Sequence, residues 1–219
     1  MEYLRKPPPT PKAVAAEIKD TVSEIISAVE TEGLAAVRRY SERFDHWNPA
    51  SFRVSSAEIE AAIAQTPLEW QGHIAWLQAQ VKRFAEAQKA TLTEFELETH
   101  PGIHLGQKQI PVSSVGSYSP GGRYPLIASS AMTVVVPKVA GVKRVVASAP
   151  PKDGKGIYPA QLFTMATSGA DEIYSIGGVQ AMAAMAFGVP ELELAPVDMI
   201  VGAGNAYVAE AKRQLFGVC

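Results

Sequence analysis

Apolar residues at Val14, Ile18, Val22, Ile25 and Val29 recur at the spacing that returns side chains to one side of an α-helix. Thr10 and Pro11 fit the start of that helix, a hydroxyl cap followed by proline at the first helical position. Residues Met1 to Thr10 before it read as an extended proline-rich arm. Gly33 interrupts the pattern, and Leu34, Val37, Tyr40 and Phe44 carry it onto a second helix that runs out in a loop from Asp45 to Pro49. Ser55 and Glu58 have the spacing of a capping box, which opens a short helix through Ile59 and Ile63. Thr66-Pro67 opens another, with Ile74, Leu77, Val81 and Phe84 expected on one face. The chain up to about Lys89 is therefore predicted to be mainly helical.

The pattern changes near Thr91. Thr93 to Leu97 and Gly102 to Ser117 are rich in alternating or β-branched residues and read as strands. Beyond them strand and helix alternate. Strands are predicted at Val115–Tyr118, Val145–Ser148, Glu172–Ile176 and Asp198–Val201, with helices at Ser129–Ala140, Pro159–Thr167, Gln180–Phe187 and Asn205–Phe216. Alternation at this spacing predicts right-handed βαβ crossovers and a mostly parallel sheet. The expected class is α/β, a helical N-terminal region followed by a doubly wound sheet.

Composition narrows the functional classes. With 219 residues, 47% hydrophobic and 19% charged, the chain has the make-up of a globular protein with a real core. A net charge of -2 gives no pull toward nucleic acid or an anionic membrane. No apolar run is long enough to span a bilayer, and the first residues lack the apolar stretch of a secretory signal, so a cytoplasmic location is expected. The single cysteine, Cys219, leaves no internal disulfide and no cysteine-based zinc cluster. Gly217 and Cys219 directly follow a helical pattern, where a further element would normally come, and the end reads as a truncation.

In an open parallel sheet, ligands bind beyond the carboxyl ends of the strands. Three turns expected there are glycine-rich: Tyr118-Ser119-Pro120-Gly121-Gly122, Ile176-Gly177-Gly178-Val179-Gln180 and Gly202-Ala203-Gly204-Asn205. Glycine allows close approach of backbone to ligand, and a following helix start offers N–H groups to a phosphate. Taken singly, each turn also fits the glycine that any tight strand-to-helix turn needs. Tyr118 and Gln180 are singled out by their place in the turns. Arg123, just after Gly121-Gly122, suits a bidentate contact with an anion, or is simply a surface arginine. The dinucleotide fingerprint Gly-x-Gly-x-x-Gly is incomplete, because Tyr207 stands where the third glycine would be, and no phosphate-loop ATPase motif is present. His100 and His104 have helical ligand spacing, but Pro101 and Gly102 between them argue against a helix; with His46 and His73 they read as surface or structural residues.

These segments resemble a known family. Leu105-Gly106-Gln107, Val115 through Gly122, Val139-Ala140-Gly141-Val142 with Ala149-Pro150-Pro151, Asp171 through Tyr174, Gly177-Gly178-Val179-Gln180-Ala181, and Ile200-Val201-Gly202 with Gly204-Asn205 and Tyr207-Val208 are similar, in this order, to motifs of the histidinol dehydrogenase family. The resemblance implies an intertwined homodimer of subunits with two incomplete Rossmann-like domains. Residues 1–115 would form a helical arm and the first part of one domain, and residues 116–219 most of a NAD-binding domain. It places Tyr118, Gln180 and Asn205 on NAD-contacting positions, and Pro120, Gly121, Gly122, Gly177, Gly178, Gly202 and Gly204 of the three turns are expected to bind the cofactor with them. It further implies oxidation of a primary alcohol through an aldehyde to a carboxylate, with two NAD and a zinc ion that polarises the alcohol. The family's zinc ligands and its histidine–glutamate pair belong to sequence beyond residue 219, so no catalytic or metal residue is assigned here. Two departures stand out. The family's Gly-Pro-Gly-Asn turn reads Gly202-Ala203-Gly204-Asn205, and Gly122-Arg123-Tyr124-Pro125 resembles the related enzymes that oxidise 2,3-dihydroxypropane-1-sulfonate rather than L-histidinol. The competing reading is a shortened, non-catalytic nucleotide-binding or interaction module.

Overall fold

The computed structural model describes the backbone of residues 12–122 and 124–219; the predicted arm, the Thr10-Pro11 helix start and Arg123 lie outside the described residues. The elements run α1 (Lys12–Glu32), α2 (Leu34–Asp45), α3 (Ser56–Gln65), α4 (Leu68–Lys89), β1 (Phe95–His100), β2 (Ile103–Gln107), β3 (Ser114–Tyr118), α5 (Ile127–Ala140), β4 (Arg144–Ser148), α6 (Pro159–Thr167), β5 (Glu172–Tyr174), α7 (Gly178–Phe187), β6 (Met199–Gly202) and α8 (Ala206–Leu215). Four strands form a parallel sheet in the order β5-β4-β3-β6. The chain steps outward from β3 to β4 and β5, then returns past β3 to place β6 on the other side. That reversal makes a topological switch point between β3 and β6, where the strand ends part and a crevice opens.

Both faces of the sheet are covered, as an all-parallel sheet requires. Val115, Val145, Ala147 and Ile173 face one side, against Ala62 of α3, Val134 of α5 and Leu162 and Met165 of α6. Tyr118, Val146 and Tyr174 face the other, against Val22 of α1, Val37 of α2, Met182 of α7 and Leu215 of α8. The predicted N-terminal helices thus clothe the sheet, and the 115/116 division falls inside β3. One edge is closed locally: Val54 donates its N–H to the Ile173 carbonyl and Ser175 to that of Phe52, both at 2.8 Å, so residues 52–54 run along β5.

Local signals behave largely as their chemistry dictates. Gly33, at φ 55, separates α1 from α2, and Ser55 and Glu58 form the reciprocal capping box at the head of α3. The expected face of α4 needs correction. Ile74 is buried, but Phe84 is 67% exposed and Ala85 takes the inward place. At about 100° per residue, position 84 points roughly 80° away from Ile74, whereas position 85 is only about 20° off. The strand expected from Gly102 to Ser117 is also divided. Its first part, β2, pairs antiparallel with β1 across a turn at Pro101-Gly102, where Gly102 has φ 79; residues 108–113, with Pro111, belong to no strand before β3 begins.

Candidate cofactor-binding cleft

The three glycine-rich turns meet at the carboxyl rim of the sheet. They border one cleft of about 860 Å³, lined by Tyr118, Pro120, Gly121, Gly122, Gly178, Gln180, Gly204 and Asn205 among others. Gly177 and Gly202 stand behind this lining and shape it. Gly202 ends β6 at φ 133, and a Cβ there would lie 2.1 Å from the Tyr118 carbonyl oxygen, so the two adjacent strands can close on each other only with glycine at this point. The Pro120 carbonyl accepts from the Leu126 N–H at 3.2 Å and from Nε2 of the fully buried Gln161 at 3.1 Å, which ties the first turn to α6. Lys212 donates Nζ to the Gly202 carbonyl at 3.1 Å and steadies the third.

Some of the N–H groups at two of the helix starts already have partners within the chain. Asn205 Oδ1 accepts from the N–H groups of Tyr207 and Val208, both at 3.1 Å, capping α8. The Tyr118 hydroxyl accepts from the Gly178 N–H at the head of α7, 3.0 Å away. Tyr118 is nearly buried, and that burial, aided by the charge of Asp45 and opposed by the Gly178 N–H, pushes its phenol up to about 12. It is a neutral hydroxyl at any ordinary pH, and its proton meets no acceptor among the described residues.

Sequence reasoning missed the other wall. Arg43, Phe44 and Asp45 at the end of α2 line the cleft, with Thr21 and Ile25 of α1 and with Tyr124 and Tyr207. His46, in the left-handed region at φ 50, ends α2, and the Trp47 indole donates to the Ser175 carbonyl at 3.1 Å, which anchors this end of the helix beside β5. The buried Gln180 side chain donates Nε2 to Asp45 Oδ2 at 3.2 Å. Burial pushes the Asp45 carboxyl up to about 6, with neighbouring His46 acting in the opposite sense. An acidic group in the last turn of a helix sits at the unfavourable end of the macrodipole. That misplacement is the signal in the sequence that could have drawn attention to it. Arg43 lies over the Phe44 ring, 5.2 Å from its centroid, and forms no ion pair among the described residues.

A second groove, of about 820 Å³, runs along α4, α5 and the end of α6 with Lys82, Lys89 and Lys138 in its lining. Two of these cations are spent, Lys89 on the Val139 carbonyl at 2.9 Å and Lys138 on Asp171 at 2.5 Å, and the groove lies at helix C-termini, the wrong end for an anion. Among the described residues, no three His, Cys, Asp or Glu side chains come together to hold a metal. His100 and His104 lie on the hairpin strands, where His104 approaches Glu96 at 3.5 Å.

Comparison with known proteins identifies the framework around the cleft. The family model described as histidinol dehydrogenase matches residues 9–219. The chain belongs to the histidinol dehydrogenase family. It is 51% identical over 92% of its length to a histidinol dehydrogenase homolog of Shouchella clausii, covering 47% of that protein. It is 46% identical over 99% of its length to the sulfopropanediol 3-dehydrogenase of Ruegeria pomeroyi, covering 49% of that one. The crystal structure of histidinol dehydrogenase from Elizabethkingia anophelis superposes with a TM-score of 0.84 at 29% identity, over 95% of this chain and 50% of that one. The chain thus spans about half the length of these relatives, and its fold is theirs. No helix among the described residues is long and apolar enough to cross a membrane.

Proposed function

We propose that the cleft is the NAD site of a zinc- and NAD-dependent alcohol dehydrogenase, and that this chain supplies the cofactor-binding half of the enzyme. The observation that carries the reading is the convergence of three turns, separated by up to 80 or so residues of chain, on one cleft at the switch point of a parallel sheet. Its volume falls in the ordinary range for cofactor pockets, about 300–1,000 Å³. Tyr118 presents a neutral hydroxyl, and Gln180, Asn205 and Pro120 to Gly122 line the cleft with it. NAD, when bound, accepts the hydride; the residues of this chain orient it and exclude water around it. Zinc does not fit the described side chains, and we assign it no ligand here.

For the substrate we favour a small primary alcohol carrying an anionic group, 2,3-dihydroxypropane-1-sulfonate before L-histidinol, oxidised through the aldehyde to the carboxylate. The Arg123-Tyr124-Pro125 sequence and the high identity to the Ruegeria pomeroyi relative support that order. A cytoplasmic homodimer without nucleic-acid or membrane partners completes the proposal. Titration of NAD into the purified chain, followed by calorimetry, tests it. Saturable one-to-one binding, with no oxidation of either alcohol by this chain alone, is expected. A folded chain that takes up no NAD would overturn the cofactor reading, and binding without turnover by a natural full-length relative would favour a non-catalytic nucleotide-binding module.

A further inference from the structure

We infer that Asp45 is the ribose-recognition residue of the cleft, accepting hydrogen bonds from the hydroxyls of one ribose of the dinucleotide; this rests on the cofactor reading above. Three observations support the assignment. Asp45 is a carboxylate in the cleft lining with no cationic partner among the described residues. Only its Oδ2 is engaged, by Gln180 Nε2, which leaves Oδ1 and the remaining lone pairs without a donor. A partly buried acceptor of this kind is costly to hold unless a ligand satisfies it. Beside it, the Tyr118 hydroxyl accepts from the Gly178 N–H and keeps a proton to give. A wall of one unspent donor and several unspent acceptors matches vicinal hydroxyls, which both donate and accept. It repels a phosphate.

Gln180 then acts through Asp45. One N–H of its amide goes to the carboxylate, so it fixes the direction in which Oδ1 points. The same logic moves the cofactor's phosphates away from the head of α7, where Tyr118 and Asp45 already stand.

The test uses the full 219-residue chain, circular dichroism to verify folding, and calorimetric titration with NAD and with two analogues lacking the 2′-hydroxyl on either the adenosine or the nicotinamide ribose. Asp45→Asn is expected to weaken NAD about tenfold or more, and Asp45→Ala by at least as much. One of the two deoxy analogues should bind the parent chain more weakly than NAD and lose less than NAD does on Asp45→Asn, because it lacks one of the partner hydroxyls. If folded Asp45→Asn binds NAD as the parent does, or if both analogues lose as much as NAD on substitution, the inference fails while the cofactor site stands. Absence of NAD binding by the parent chain removes both.

Discussion

Strand β3 and the β1–β2 hairpin are close in sequence and opposite in fate. β3 reads Ser-Val-Gly-Ser-Tyr and is buried at every position. The hairpin strands contain Phe95, Leu97, Ile103 and Leu105, and every residue of both is exposed. β3, with fewer large apolar residues than the hairpin, is the core of the molecule because it has strands on both sides and helices on both faces. Its polar atoms are paired, Ser117 with Thr133 at 2.7 Å and Ser114 with Asp198 at 2.9 Å. Its glycine, Gly116, lets α7 close in; a Cβ there would lie 2.8 Å from Met185 Sδ. Apolarity sorts the hairpin's two faces, but topology decides which strand is enclosed.

If this contrast is right, changes at the sheet rim should be the most damaging. Gly202→Ala places a methyl group 2.1 Å from the Tyr118 carbonyl at a φ of 133. It is expected to lower the unfolding free energy by about 3 kcal/mol or more, measured by urea denaturation, because two neighbouring strands must part. Asn205→Ala removes the α8 cap and should cost about 1 kcal/mol, visible as a lower melting temperature. Asn205→Asp keeps an acceptor in the same place and should restore that stability while weakening NAD. Equal loss of stability in both variants would show that the cap is not what Asn205 contributes.

Asp45 should show the opposite sign. Its carboxyl is pushed from the usual 3.8 up to about 6 by burial, so the fold favours the protonated form. That stabilisation is complete below the ordinary carboxyl range and is lost as the pH climbs through about 6. The shift corresponds to at most about 3 kcal/mol at 1.4 per pH unit, and solvent at the cleft mouth screens it to about 1. Asp45→Asn is therefore expected to be more stable than the parent by about 1 kcal/mol at pH 8 and equal to it near pH 3.5. The groups around it are Arg43 and His46 at the end of α2, Tyr118 of β3 and Gln180 of α7. Thermal melts across that window, repeated in a His46→Gln background, measure the difference. A parent chain that gains stability from pH 4 to pH 7 relative to Asp45→Asn would reverse the assignment. Gain in stability with loss of ribose binding is the trade-off expected where a binding group is held against its own preference.

Much of the rim was legible in the sequence because its turns are fixed by local chemistry. Glycines at Gly121, Gly178 and Gly204 mark where chain direction changes, and strand–helix alternation predicts that all three turns share one end of a parallel sheet. The same local reasoning fixed the break at Gly33 and the Ser55 cap. It could not supply the wall made by α2, because which helix end comes to lie against β5 depends on Trp47 reaching Ser175 across most of the chain. It assigned Asn205 and Gln180 to a ligand without seeing that each also serves the protein, one as a cap and the other as a support for Asp45. It placed Phe84 inward on its apolar character, although the 100° turn per residue brings position 85, not 84, back over Ile74. Arg123 was singled out by its place beside the turn, and it lies outside the described residues.

The smallest expected effect on stability comes from the exposed apolar face of the hairpin. In the hairpin register Leu97 opposes Leu105, and Phe95 lies on the same face, while Glu96, Glu98 and His104 occupy the other. Leu97 and Leu105 are 55% and 57% exposed, so replacing both with serine removes little apolar area from the folded interior. The double variant should unfold within about 0.5 kcal/mol of the parent, against the several-fold larger cost at Gly202. An exposed apolar strand face also promotes association, so the same variant is expected to sediment as a smaller species, or to scatter less light, at concentrations where the parent self-associates. A loss of about 2 kcal/mol or more in the double variant would mean that the hairpin is packed in solution as tightly as β3. The contrast between the two regions would then rest on something other than enclosure.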